Sequence, residues 1–315
     1  MQKNPEPMIG LMDKKEIEKE YTQCATALKR SGIISILPKS KSSGVLGLDG
    51  NEYPLPTQEK VVKLFSKNKK LIDLKVQQGF KTLQLTPIAI PTLQLTDLLR
   101  ATIIRHNNEG KIFQTRHSSS DRLIPVRVNK EKQIWFWERL RQAIEKEELV
   151  YFPQEYKCNN HHGQTKSEVI DNKHICAFPG WSVGLVENLS KMPLPGQGKT
   201  LAGRKQLEIG NSPFEYLMTL QMKPYQGETG QTLEDFITKF LCNLESTNEV
   251  SNDVSDNNAL WLLGNYLKIS YAELVPTGRW HRSVGRLRLD MHRTRNKECT
   301  KSWGCSTIVR LPGQI

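Results

Sequence analysis

Residue types that bind metal ions gather once in this chain, at Cys158, His161, His162, His174 and Cys176. A C-x2-H pair followed by H-x-C could give zinc four tetrahedral ligands (Cys158, His161, His174, Cys176) and so clamp a loop too polar to fold by burial. The spacing fits no standard zinc finger, and the expectation is a polar surface loop without metal. Gly196-Gln197-Gly198-Lys199-Thr200 offers backbone amides and a lysine, the groups a nucleotide phosphate needs. A full phosphate loop wants a glycine where Pro193 stands, so a structural loop is expected here. There is no nucleophile elbow, no paired catalytic carboxylates and no HExxH pattern, which leaves no catalytic residue and no cofactor to assign.

The remaining chemistry is recognition. Between Thr277 and Arg310 stand nine lysines and arginines (Arg279, Arg282, Arg286, Arg288, Arg293, Arg295, Lys297, Lys301, Arg310) against two acids, Asp290 and Glu298. Arg279, His281 and Ser283 alternate with Trp280, Arg282 and Val284, and Arg286, Arg288 and Asp290 alternate with Leu287, Leu289 and Met291. Successive side chains of a strand point to opposite sides, so this pattern predicts two short strands displaying a polar face. The expected ligand-binding face comprises Arg279, His281, Ser283, Arg286, Arg288, Asp290, His292, Arg293, Arg295, Asn296, Thr300 and Trp303. Guanidinium forks and aromatic rings supply much of the energy at recognition hot spots. The two histidines sit among arginines, whose like charge would lower a histidine pKa, with Asp290 the nearest carboxylate in sequence.

Elements to position this face can be read upstream. The chain has 315 residues, 37% hydrophobic, enough for about two domains with real cores. Its formal net charge of +12 allows attraction to phosphates or acidic partners. No apolar run could span a bilayer, and Met1 to Lys14 lacks a secretion signal, so a cytoplasmic protein with no membrane partner is expected. Six scattered cysteines read as mostly reduced thiols. Helices are expected over Asp13 to Arg30, from Thr57 towards Gly79, over Asp97 to Asn108 and over Gln133 to Glu147, the last with Ile134, Trp137, Leu140 and Ile144 on one face. Ile33 to Leu37 and Trp181 to Val186 read as strands, with a turn at Asp49-Gly50-Asn51. Ser212-Pro213-Phe214-Glu215 and Thr232-Leu233-Glu234-Asp235 are strong helix starts, the first with proline at the opening position. Thr82-Leu83-Gln84-Leu85-Thr86 recurs at Thr92 to Thr96, too few copies for a solenoid. The polar stretch Tyr156 to Asn172 suggests a boundary.

From Gly180 to Leu311 the sequence resembles the C-type-lectin-like domain of variable proteins of diversity-generating retroelements, which share the fold of formylglycine-generating enzymes. The resemblance lies in Gly180-Trp181-Ser182-Val183, Gly203-Arg204-Lys205-Gln206-Leu207-Glu208, Ser212-Pro213-Phe214-Glu215-Tyr216-Leu217, Leu263-Gly264-Asn265-Tyr266, Gly278-Arg279-Trp280 and Trp303-Gly304-Cys305-Ser306-Thr307-Ile308-Val309-Arg310. The family's frequent Gly-Gly-Ser-Trp motif does not occur. In such proteins reverse transcription randomises adenines, so an Asn codon can become Arg, His, Ser, Gly, Leu, Asp, Thr, Val or Cys. From Arg279 to Cys305 that group dominates, with Trp280, Met291, Lys297, Glu298, Lys301 and Trp303 as exceptions.

The expected architecture is α+β. A mainly helical accessory region (1–156) precedes a polar boundary (157–176) and a C-type-lectin-like ligand-binding domain (177–315) of one strand, two helices and then short antiparallel strands and loops. The variable segment runs from about 279 to 305. The expected function is that of a non-enzymatic binding protein whose partner is a macromolecule, a protein in the first instance. Nucleic acid is the alternative partner, with phosphate contacts from Lys/Arg and base stacking on Trp280 and Trp303. A third reading, an oxidoreductase-like relative of formylglycine-generating enzymes, would use Cys299 and Cys305.

Overall fold

The computed structural model describes residues 12–116, 122–157, 160–187, 189, 191–251, 253, 259–269, 272–295 and 300–313. Its helices are α1 (Lys14–Arg30), α2 (Gln58–Lys67), α3 (Lys69–Gln77), α4 (Thr92–Asn108), α5 (Glu138–Glu145), α6 (Lys166–Asp171), α7 (Pro213–Leu220) and α8 (Leu233–Thr247). Its strands up to residue 187 are β1 (Ser35–Ile36), β2 (Ser43–Leu46), β3 (Glu52–Pro54), β4 (Phe80–Pro87), β5 (Gln114–Arg116), β6 (Leu123–Pro125), β7 (Ile134–Phe136), β8 (Val150–Tyr151) and β9 (Trp181–Glu187). Those that follow are β10 (Thr200–Leu201), β11 (Arg204–Lys205), β12 (Glu228–Gly230), β13 (Ala259–Trp261), β14 (Asn265–Ile269), β15 (Ala272–His281), β16 (Arg286–Arg293), β17 (Trp303–Cys305) and β18 (Thr307–Arg310). The chain is mixed α+β.

Local chemistry sets the helix starts. Asp13 accepts from the Glu16 amide at 2.8 Å to cap α1. Ser212 and Glu215 form a reciprocal capping box around Pro213, the first residue of α7, with the Ser212 amide on the Glu215 carboxylate at 2.7 Å. Thr232 and Asp235 do the same for α8, which ends at Asn248 with a left-handed φ of 56°.

Two sheets carry the core. One has the order β12-β18-β9-β4; the other runs β17-β13-β15-β14-β8, with β16 joining β15 to β7. The first sheet overturns the expected separation of 1–156 from 177–315. All seven residues of β9 are buried. A buried strand needs its hydrogen-bonding groups met on both edges. The partners are β18 on one side and β4, from the N-terminal half, on the other, paired from Phe80↔Glu187 to Pro87↔Trp181. In the second sheet β7 lies parallel to β16 and β8 pairs with β14. Helices α1 and α4 both pack on α8. Leu28, Leu85 and Leu99 therefore share one core cluster with Val183, Phe240 and Trp261. Trp261, Leu263, Leu287 and Val309 are all buried.

Two local expectations also change. The segment expected to be helical from Gln133 is a strand through Phe136, and α5 begins only at Glu138. The helix expected from Thr57 to Gly79 is broken at Asn68 into α2 and α3. The repeated Thr-Leu-Gln-Leu-Thr forms part of β4 in its first copy and the first turns of α4 in its second. Its neighbours decide the difference, since Pro91 precedes the second copy and fits a helix start.

Proteolytic cleavage between Lys157 and Lys173 is expected to leave two fragments that co-elute as one particle. After separation in denaturant, the C-terminal fragment should refold without a cooperative transition, because β9 has lost β4. A C-terminal fragment that melts cooperatively alone, followed by circular dichroism, would restore the two-domain division.

Candidate functional site

The β15–β16 hairpin pairs Arg279↔Arg288, Thr277↔Asp290, His281↔Arg286 and Val275↔His292. Alternation sends Trp280, Leu287, Leu289 and Met291 to one side, where all are buried. Here Trp280 stacks on Phe240 of α8, with ring centroids 6.3 Å apart. Gly278 lies on this side because a Cβ there would stand 2.4 Å from the Phe236 ring. The hairpin is thus seated on α8 by one face.

The other face carries the charged residues. Arg279 and Arg288 face each other across the strands, a like-charge pair that would be destabilising alone. Asp290 relieves it: its carboxylate lies 3.1 Å from Arg288 Nη2, 3.5 Å from Arg279 Nη2 and 3.7 Å from His292 Nε2. Tryptophans from the flanking strands wall the cluster. The Arg279 guanidinium lies over Trp303 of β17 at 4.6 Å, and Arg288 lies over Trp135 of β7 at 4.2 Å. His292 meets Trp303 edge-on at 4.7 Å, and Trp261 of β13 packs on Trp303 at 4.6 Å. Five strands thus supply one arrangement of two guanidinium planes, one carboxylate, one imidazole and three indoles.

Burial acts to raise the Asp290 pKa, but His292, the Met291 amide at 2.9 Å and Arg279 together outweigh it and hold the carboxyl below its ordinary value. His281 is lowered, chiefly by burial and then by Arg279, Arg288 and Arg286, in the direction expected from its neighbours. Arg288 Nε and His292 Nε2 are buried without a hydrogen-bond partner. The cluster therefore keeps hydrogen-bonding capacity for an incoming group.

Exposure divides the sequence-derived face into floor and rim. Arg279, Asp290 and Trp303 are buried, contrary to the expectation of display. They are the members that neutralise or cover one another, and a surface strand cannot leave a charge pair and an indole face bare. His281, Arg286, Arg288 and His292 are half-buried, while Ser283, Arg293 and Arg295 are exposed. Arg295 lies over the Phe214 ring of α7 at 4.7 Å. Thr300 opens a short 3-10 turn, and Asn296 lies outside the described residues.

Trp135 was missed from sequence because Ile134, Trp137, Leu140 and Ile144 also satisfy a helical period. The usable signal was the run Ile134-Trp135-Phe136-Trp137, rich in residues that favour strands.

The other candidate residues do not converge. Cys158 lies outside the described residues. Cys176 is buried, which pushes its thiol up to about 12, whereas His174 is exposed and His161 Nδ1 accepts from the Gly163 amide at 3.0 Å. Among the described residues no three His, Cys, Asp or Glu side chains group as metal ligands. In the glycine loop, the Gly198 amide is satisfied by Glu208 at 2.8 Å and that of Lys199 by Gln206 at 3.1 Å, which leaves no phosphate cradle there. Cys305 is buried and its thiol raised well above the ordinary range by desolvation, while Cys299 lies outside the described residues.

No protein-family model matches this sequence, and no curated protein or solved structure was found to match it. No helix among the described residues is long and apolar enough to cross a membrane.

Proposed function

We propose that this chain is a non-enzymatic binding protein, a variable protein of a diversity-generating retroelement, presenting a recognition surface on a C-type-lectin-like scaffold. The carrying observation is the two-sided β15–β16 hairpin. One face buries Trp280, Leu287, Leu289 and Met291 towards α8; the other gathers Arg279, Arg288, Asp290 and His292 between tryptophans. Rim residues can change on such a hairpin without disturbing the core behind them.

The lectin-like reading draws support from β9, α7 and α8 following in that order, with β10 and β11 before α7 and β12 before α8, then a run of strands whose last, β18, is antiparallel to β9. The partner is a protein surface offering carboxylate and aromatic groups, which complement guanidinium planes and half-covered indoles. The nucleic-acid alternative called on Trp280 and Trp303 as stacking platforms. Both are buried, Trp280 against Phe240 and Trp303 under Arg279, so neither ring has a face open to a base.

The DNA flanking the gene tests this reading. A near-copy of the 279–305 codons is expected beside a reverse transcriptase gene, differing from them at template adenines. Mismatches spread over all four bases, or no such copy, would sink the proposal. Sequence-independent, sub-micromolar binding to DNA that falls roughly a thousandfold between about 50 and 200 mM salt would instead establish a phosphate track.

A further inference from the structure

A cavity of 320 Å³ opens on the opposite side of the large sheet from the arginine and tryptophan face, between α1, β4, β9 and α8. Leu260 lines it, whereas its neighbour Trp261 belongs to the other face. The volume falls in the range of small-molecule sites, about 300–1,000 Å³. Its wall holds polar groups that the protein leaves unmet. Lys239 on α8 is half-buried and forms no hydrogen bond or ion pair among the described residues. Gln84 Oε1 and Ser251 Oγ are buried and also without partners. An ammonium removed from water without a hydrogen-bonded counter-ion is costly, and burial lowers the Lys239 pKa, with the more distant charge of Glu187 only partly opposing it.

The acids of the wall are engaged elsewhere. Glu187 pairs with Arg204 at 3.2 Å and accepts from Gln206 at 2.8 Å. Asp253 holds Arg282 at 2.7 Å, Glu20 accepts from the Leu83 amide at 3.2 Å, and Glu249 has partners of its own. None of these acids forms a hydrogen bond or ion pair with Lys239 among the described residues, and Glu187 acts on it only through its charge.

We propose that this cavity binds a small carboxylate-bearing molecule whose anionic group pairs with Lys239 and whose hydroxyl or amine is met by Gln84 Oε1 and Ser251 Oγ. A carboxylate fits better than a phosphate, because the wall offers one free ammonium and no arginine fork to hold a dianion. The site is independent of the hairpin face.

Reductive ¹³C-methylation keeps lysines charged and lets Lys239 be followed by NMR in the full chain, its signal assigned by loss in Lys239→Met. Titration with lactate is expected to shift that signal saturably, and acetate, which lacks the hydroxyl, should do so only at higher concentration. Lys239→Met should melt no lower than the parent, since it removes an unpaired charge, and should lose no other lysine signal. No shift with either acid up to about 10 mM, beyond the millimolar end of useful affinity, overturns the proposal. An equal or larger response to inorganic phosphate overturns the carboxylate assignment.

Discussion

Replacing Glu228 with alanine is expected to cost about 3–5 kcal/mol, enough to threaten folding outright. Its carboxylate, fully buried on β12, receives Lys75 Nζ of α3 at 2.7 Å, Arg204 Nε and Nη2 at 2.7 and 2.8 Å, and Thr307 Oγ1 at 2.8 Å. Lys75 and Arg204 have no exposed side-chain surface. Removing the acid leaves two buried cations facing each other, with Glu187 beside Arg204 the remaining carboxylate that acts on both. The loss is larger than for an exposed pair because neither cation can swing into solvent. Chemical denaturation measures it. Lys75→Met made together with the Glu228 change should recover part of the loss, since one uncompensated charge goes with it. A Glu228→Ala protein within about 0.5 kcal/mol of the parent would mean that the network is not a structural junction. The experiment bears on architecture as well as on stability, because Lys75 and Glu228 lie on opposite sides of the expected domain boundary.

That boundary shows where sequence reasoning lost its footing. Capping boxes at Ser212 and Thr232 are local, written in four consecutive residues, and both helices begin where those residues place them. Alternation in 279–292 is local too, and the hairpin follows it. The pairing of β4 with β9 joins residues about a hundred positions apart, and nothing within Phe80–Pro87 names its partner. A polar stretch such as 156–172 looks like a linker, yet here it holds Lys166, whose ammonium is buried against Glu234 at 2.9 Å. The repeated Thr-Leu-Gln-Leu-Thr makes the same point, since one sequence serves as strand or helix according to its surroundings. For the site, residue types and facing were legible. Enclosure was not, because Trp135 arrives from β7 to cover Arg288 and Trp261 from β13 to pack on Trp303.

Enclosure changes what substitutions on the face should do. Asp290→Asn is expected to destabilise by about 2 kcal/mol at neutral pH, less than a fully buried pair would cost. Arg279, with 8% of its side chain exposed, loses this carboxylate while held against Trp303, whereas Arg288, at 32%, can turn partly outward. The effect should depend on pH with a definite sign. Asp290 has its folded-state pKa depressed, so its contribution is present above the unfolded carboxyl value and is lost as pH falls through the lower folded one. Melting curves from about pH 6 down to pH 2 should therefore show a shallower acid limb for Asp290→Asn than for the parent, with the two converging at the acid end. Rim changes should behave otherwise: Arg286→Asn and His281→Tyr are expected to stay within about 0.5 kcal/mol while altering partner binding. If Asp290→Asn proved as neutral as the rim changes at every pH, the charge cluster would not organise the face, and Asp290 would be one more interchangeable position of the display. If the rim changes proved as costly as Asp290→Asn, the hairpin would have no room for variation.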